Sequence, residues 1–365
     1  MPNFPFTRAK PLGWSLFEVF TSAQANAVDA NAAQAADGLI WTDAAQFRNW
    51  SGPAYTVAQA GMFNVYSAVN DTWWVGTISA GSLSTSRMHG ASGGFIGGVS
   101  SPTAGITAVR QRAAVFDPLN NFLVVGCIPS ASSNVKYRRA SMTAVASFTA
   151  TNSTQTNTSG PKCMVWAGSP INMIISGHET TGVVETSSDG GATWTNRTVP
   201  NADSRLSAAW GTPGICITSD TAQARLIHST DGINWNQRTL PASKIWNVVW
   251  VPLLAKFLAI ADDLSAIASS TDGITWTSIG AISLPPYLGS ILSSFDNNFV
   301  AFGRTVFGVV LSSNTYIIYS QDGGTTWKIA CSPTGTGSVG QLNGNGRQLM
   351  YTISTFVQWS IGGGF

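Results

Sequence analysis

One short pattern returns four times in the second half of this chain. It reads Ser187-Ser188-Asp189-Gly190-Gly191-Ala192-Thr193-Trp194, then Ser229-Thr230-Asp231-Gly232-Ile233-Asn234-Trp235, Ser270-Thr271-Asp272-Gly273-Ile274-Thr275-Trp276 and Ser320-Gln321-Asp322-Gly323-Gly324-Thr325-Thr326-Trp327. The closing tryptophans stand 41, 41 and 51 residues apart. A period near 40 with a turn-rich signature is what a four-stranded propeller blade leaves in a sequence.

The residues between boxes fit that reading. An aromatic precedes each of three boxes, with Trp166, Trp210 and Trp250 lying 28, 25 and 26 residues before Trp194, Trp235 and Trp276. Apolar runs such as Met173-Ile174-Ile175 and Phe257-Leu258-Ala259-Ile260 follow, bounded by Gly, Ser, Asn and Asp, and they read as strands of a meander. Fainter echoes extend the pattern. Phe116-Asp117 to Gly126 matches Phe295-Asp296 to Gly303, and Ser141 to Phe148 reads as a degenerate box with Phe148 in place of tryptophan. Asn70 to Gly76 begins an earlier unit with Phe95 near its box position, and Arg347–Thr352 with Phe356–Ser360 supplies a last one. The predicted fold is all-β, a propeller of four-stranded blades with seven units and six as the alternative count. The predicted division is a helical attachment segment over 1–52 and the propeller over 53–365.

The chemistry of the box is that of a turn. Each serine (Ser187, Ser229, Ser270, Ser320) and each aspartate (Asp189, Asp231, Asp272, Asp322) can bond backbone amides of the turn. Gly191 and Gly324 permit a positive φ. Each tryptophan (Trp194, Trp235, Trp276, Trp327) is expected to fold back over its own hairpin as an apolar plug. The pattern resembles the Asp-box (BNR) repeat, S-x-D-x-G-x-T-W, of sialidases, sortilin-type receptors and photosystem assembly factors. Two boxes match at every fixed position and two with one deletion, and the likeness covers roughly 55–365. It implies a propeller with its boxes on the rim, away from any central site.

Composition narrows the classes. The chain of 365 residues is 44% hydrophobic but 10% charged, where about 25% charged is usual. A net charge of +2 with scattered Lys and Arg leaves no nucleic-acid footprint. Cys127, Cys163, Cys216 and Cys331 form no C-x-x-C pair and read as free thiols. The most apolar window, 245–261, is interrupted by Asn247, Pro252 and Lys256 and reads as core, not as a membrane span. No signal peptide is read at the N-terminus, and no cofactor is implied.

The first fifty residues differ from the rest. Thr21-Ser22-Ala23-Gln24 has capping-box spacing before an Ala-rich stretch that ends near Gly38, which predicts one helix. The run Trp14-Ser15 … Phe20-Thr21-Ser22-Ala23-Gln24-Ala25-Asn26-Ala27-Val28-Asp29 … Ala36-Asp37-Gly38 resembles a segment at the N-terminus of tailed-bacteriophage fibre and spike proteins, with Phe20 where leucine is expected. That resemblance implies attachment to other virion proteins through residues 1–50, a homo-oligomer, and localisation to the virion.

A catalytic reading finds little support in the residues. The chain has only Glu18, Glu179 and Glu185 as glutamates, and Phe47-Arg48-Asn49-Trp50 is a poor version of the sialidase F-R-I-P element. Arg197 and Arg238 each follow a box tryptophan by three residues, as solvated repeat equivalents would. His228 reads as a surface or packed strand residue and Asp262-Asp263 as a solvated loop. Catalytic and metal residues are therefore expected to be none, and the ligand-binding residues are unknown. The expectation is a non-enzymatic virion protein displaying a propeller to host-surface carbohydrate. The alternatives are a glycan-degrading enzyme of sialidase-like fold and a cellular Asp-box assembly factor.

Overall fold

The computed structural model describes residues 48–50 and 63–360, apart from 80–81, 90–94, 101–104, 143–146, 180–181, 285–297, 312–314, 332–340, 345–347 and 353–355. The helix expected between residues 21 and 38 lies outside the described residues. Among those described, the secondary structure is β-strand throughout, save one 3-10 turn at Pro252–Leu254.

The strands form antiparallel meanders of four. Five sheets stand alone, and an eight-stranded one splits into two meanders at a single parallel bridge, Cys163 to Arg112. The blades so defined are I (63–100), II (106–152), III (161–197), IV (205–244), V (246–280), VI (298–331) and VII (341–360). The first strand of each blade touches the first strand of the next, and that of blade VII touches that of blade I. The arrangement is a closed β-propeller.

Blade VII is completed by the other end of the chain. Arg48–Trp50 pairs antiparallel with Phe356–Ser360, Arg48 opposite Ser360 and Trp50 opposite Gln358, and is the outer strand of that sheet. Those three residues belong to the 1–52 segment by sequence, so the ring begins before residue 53.

Local chemistry explains the hairpins between first and second strands. Asp71, Asn121 and Asn172 stand at the same place, immediately before the second strand of blades I, II and III, with φ of 45°, 57° and 53°. Asp and Asn tolerate this left-handed region because their side chains bond the local backbone. In blade II, Asp117 fastens the turn by accepting the amides of Leu119 and Asn120 at 2.9 and 3.0 Å.

The cores lie between blades rather than inside any single one. One cluster joins Phe63, Val65, Trp74 and Leu83 of blade I to Val109, Leu123 and Val125 of blade II, with Phe148 buried among them. The degenerate box therefore delivers its aromatic to the same kind of position as the tryptophans described below. The match drawn between 116–126 and 295–303 is one strand out of step. Phe122–Pro129 is the second strand of blade II, whereas Asn298–Phe302 is the first strand of blade VI. Every hairpin here reads aromatic, polar turn, apolar strand, so the pattern alone does not distinguish a first strand from a second.

Candidate functional site

The four boxes share one set of bonds. The serine hydroxyl donates to the aspartate at 2.8–2.9 Å and accepts a glycine amide (Gly191, Gly232, Gly273, Gly324) at 2.9 Å. The carboxylate then accepts two successive amides, such as Ala192 and Thr193 at 3.0 and 2.9 Å or Ile274 and Thr275 at 2.8 Å each. Both polar side chains are thus occupied in shaping the turn.

The tryptophans do not fold over their own hairpins alone, as sequence suggested; they fill the seam with the preceding blade. Trp194 of blade III stacks on Tyr137 of blade II, ring centroids 3.8 Å apart at 11°. Trp235 joins Cys163, Ile175 and Val184 of blade III, and Trp327 packs with Leu258 and Ile267 of blade V. The box glycines follow, since a Cβ on Gly191 would lie 2.9 Å from Val124 of blade II. The boxes are inter-blade fasteners.

Hydrogen bonds also set their acid response. The Thr275 amide, working against burial, holds the Asp272 carboxyl down at about 2. Burial pulls Asp189 and Asp322 upward, yet their combined hydrogen bonds leave both below the ordinary value. A depressed folded-state pKa stabilises above the ordinary value of 3.8 and is lost as pH falls through about 2. Asp272→Asn should cost about 1–2 kcal/mol at neutral pH, as loss of a cap does. It should also flatten the acid limb of unfolding between pH 4 and 2, roughly, as followed by tryptophan fluorescence.

A second group of polar residues lies buried between blades II and III. Glu185 accepts hydrogen bonds from Tyr137 Oη at 2.7 Å, Ser153 Oγ at 2.9 Å, and Thr154 N and Oγ1 at 2.6 and 2.5 Å. His178 Nε2 lies 2.8 Å from the same carboxylate. Burial would raise the Glu185 carboxyl, but these bonds and the charge of His178 hold it at about 2. Tyr137 is pushed well above 10, first by burial and then by Glu185. Beside them Lys136 reaches Asn157 Oδ1 at 2.6 Å and the Ser159 carbonyl, so the network pins the linker from blade II to blade III. Tyr137, His178 and Glu185 are all 0% exposed, which makes this an internal fastening. Sequence reasoning passed over it because its members come from three strands and a linker.

Burial corrects the readings of Asp262, Arg197 and Arg238 and places His228 and three cysteines in the core. Asp262 is buried, not solvated; its neighbour Asp263 pairs with Lys244 at 2.8 Å. Arg197 and Arg238 are half-buried on outer strands, with Arg197 Nε donating to Thr186 Oγ1 at 2.8 Å. Glu179 pairs with Arg110 at 2.7 Å. His228 is buried against the box of blade V, where a Cβ on Gly273 would meet its ring at 2.7 Å. Cys127, Cys163 and Cys216 are buried free thiols.

One concave feature among the described residues is an axial channel. A cavity of about 640 Å³ runs along the first strands of blades I to VI. At one mouth stands an aromatic collar. Tyr66, Phe116, Trp166, Trp210 and Trp250 occupy the same register position, one ladder pair before the hairpin, opposite Trp73, Leu123, Ile174, Ile215 and Phe257. Blade VI has Ala301 there, beside Phe302. The three tryptophans are half-buried. Two of them rest on a glycine of the preceding blade. A Cβ on Gly211 would lie 2.2–2.7 Å from three ring atoms of Trp250, and one on Gly168 would lie 2.8 Å from Trp210. Sequence reasoning noted these tryptophans as strand markers only, although their recurrence 25–28 residues before their box tryptophans was the signal that could have found the collar.

Strand direction puts first-to-second hairpins and boxes on the same face of the ring, because both follow strands running the same way. The exposed large apolar side chains among the described residues all stand there: Val69, Leu119 and Leu253 on hairpins, Ile233 and Ile274 on boxes.

Deeper in the channel, blade II departs from the repeat. Its first strand, Ile106–Asp117, spans 12 residues and slips register between Val109 and Ala114. This irregularity brings Arg112 to the wall, the one charged side chain among the lining residues. Cys163 also lines the channel; burial pushes its thiol up to about 12, so at neutral pH it is not a nucleophile. The mouth presents ring faces, and its Tyr66 hydroxyl donates to Asp71 at 2.6 Å.

Comparison with known proteins finds the fold elsewhere. No family model matches the chain, and no curated protein does. Virginiamycin B lyase from Staphylococcus aureus, solved as a catalytically inactive variant with quinupristin, is similar at a TM-score of 0.66 and 10% identity, over 86% of this chain and 99% of the lyase. YCF48 bound to a D1 peptide is similar at 0.57 and 12%, over 87% and 96%. The propeller domain of Cps50 (Swd1) from Myceliophteria thermophila is similar at 0.60 and 9%, over 87% and 100%. An enzyme and non-enzymatic propellers stand side by side among these neighbours, and identities this low establish the β-propeller fold and nothing finer.

Proposed function

We propose that this chain is a non-enzymatic binding propeller of a bacteriophage virion, held to other virion proteins through residues 1–50 and presenting its collar face to saccharide on the host surface. The observation that carries the binding half is the collar, with half-buried aromatics at one repeated position on the face that also bears the exposed apolar tips. The N-terminal pattern from Trp14 to Gly38 carries the virion half. Residues 1–47 lead into the outer strand of blade VII, so the attachment segment is continuous with the ring through hydrogen-bonded backbone.

Two measurements test this reading. Labelled antibody on purified particles should mark the capsid, neck or tail, and pre-coating host cells with the purified protein should lower adsorption of particles. A protein absent from purified particles would sink the virion reading outright.

A further inference from the structure

The geometry points to the collar as a saccharide subsite, in which Trp166, Trp210 and Trp250 are stacking platforms for the pyranose rings of an uncharged glycan. This deepens the attachment reading and rests on it for the source of the glycan. Three features lead there. First, two of the three platforms have a glycine support: the Trp250 ring lies against Gly211 and Trp210 against Gly168, where any Cβ would collide. One side of the ring is thereby backed by the neighbouring blade, while the side chain as a whole stays half-exposed at the mouth. A rigid aromatic with few rotamers loses little entropy when a ligand settles on it.

Second, the platforms are amphipathic. Trp246, Trp276 and Trp327 donate their indole N–H groups to the carbonyls of Ala242, Gly273 and Gly324 at 3.2, 3.2 and 2.9 Å. Trp166, Trp210 and Trp250 make no indole hydrogen bond among the described residues; the buried Trp194 and Trp235 share that lack, and what sets the collar indoles apart is their half-exposure. Each offers an apolar surface beside a donor, and a sugar ring has the matching pair: C–H groups on its faces and oxygens around its edge. A purely aliphatic partner would leave those donors unmet.

Third, charge selects the ligand. None of the collar positions Trp166, Trp210, Trp250, Phe116 and Ala301 carries an ionisable side chain, and Asp71, a carboxylate bonded to the collar, already accepts the Tyr66 hydroxyl at 2.6 Å, so an uncharged ring settling on the three tryptophans need not strip a fixed charge of water. Arg112 lies four residues before Phe116 on its strand, level with Cys163 rather than with Trp166, and is not a collar residue.

The test is calorimetry of the full chain against neutral hexose oligosaccharides, their uronic-acid counterparts and an apolar proline-rich peptide. Neutral oligosaccharides should bind. Trp210→Ala and Trp250→Ala should each weaken them by tenfold or more, and Trp210→Phe, which keeps a ring and loses the N–H, should fall between. Melting curves on the same samples check that the variants remain folded, and Arg112→Gln serves as a channel variant expected to change neutral-sugar affinity less than twofold. The inference is overturned if no saccharide binds, if only the uronic acids or only the peptide bind, or if the tryptophan variants bind as the parent does. The two readings separate cleanly. A virion protein whose collar variants adsorb normally sinks the collar alone. A sugar-binding collar on a protein missing from particles sinks the virion role alone.

Discussion

Deleting residues 1–52 should lower the melting temperature by about 5–10 °C, whereas deleting 1–47 should leave it within roughly 2 °C. The difference lies in Arg48–Trp50. Without it, Phe356–Ser360 becomes an unpaired edge, and the sheet order 48–50, 356–360, 348–352, 341–344 loses its outer member. The pairing also joins residues near opposite ends of the chain, so it closes a very large loop that no local hairpin replaces. Circular dichroism melts report the loss, and limited proteolysis should cut first within 341–360 in the shorter protein. Equal melting of the two truncations would mean that the inner-strand contacts of blade VII hold the ring by themselves.

Glu185→Ala should destabilise the protein by about 3–5 kcal/mol, the cost of breaking a buried charged network while leaving its partners in place. Tyr137 Oη, Ser153 Oγ and the amide of Thr154 would each lose an acceptor, the first two where the side chain is buried. Glu185→Gln keeps the shape and one acceptor oxygen and should cost about 1–3 kcal/mol. Because the folded carboxyl sits at about 2, its stabilisation is complete above its ordinary 4.5 and vanishes as pH falls through about 2. Denaturant unfolding at neutral and acid pH measures both effects, and the difference between parent and Glu185→Gln should shrink on acidification. The same variants examine the enzymatic alternative. A Tyr–Glu pair at 2.7 Å could suggest a glycosidase nucleophile, yet this pair is sealed between two blades. If Glu185→Gln abolished release of sugar from host polysaccharide while leaving stability intact, the fastening role would be wrong.

Much of the architecture was readable because a propeller is built from local signals. Asp-Gly turns, aromatic markers and β-branched runs act within some forty residues, and each repeats, so weak evidence at one blade is reinforced at the next. The bonds of Ser187, Asp189 and Gly191 span at most four residues, which is why their turn chemistry is legible within a short window. Sequence reading errs where partners are distant. The tryptophans were expected over their own hairpins but fill seams with preceding blades, and the strands of blade VI were read one step out of register.

By itself, then, the chain's order of residues determined a β-propeller and the chemistry of its turns, since both rest on short-range hydrogen bonding and a periodic apolar pattern. Only the tertiary structure decided which residues meet across blades: Trp194 with Tyr137, Trp250 with Gly211, Glu185 with Ser153 and Thr154, and Arg48–Trp50 with Phe356–Ser360. Those meetings depend on how the ring curves and closes. Curvature is a sum over every inter-blade contact at once, and no window of sequence contains it.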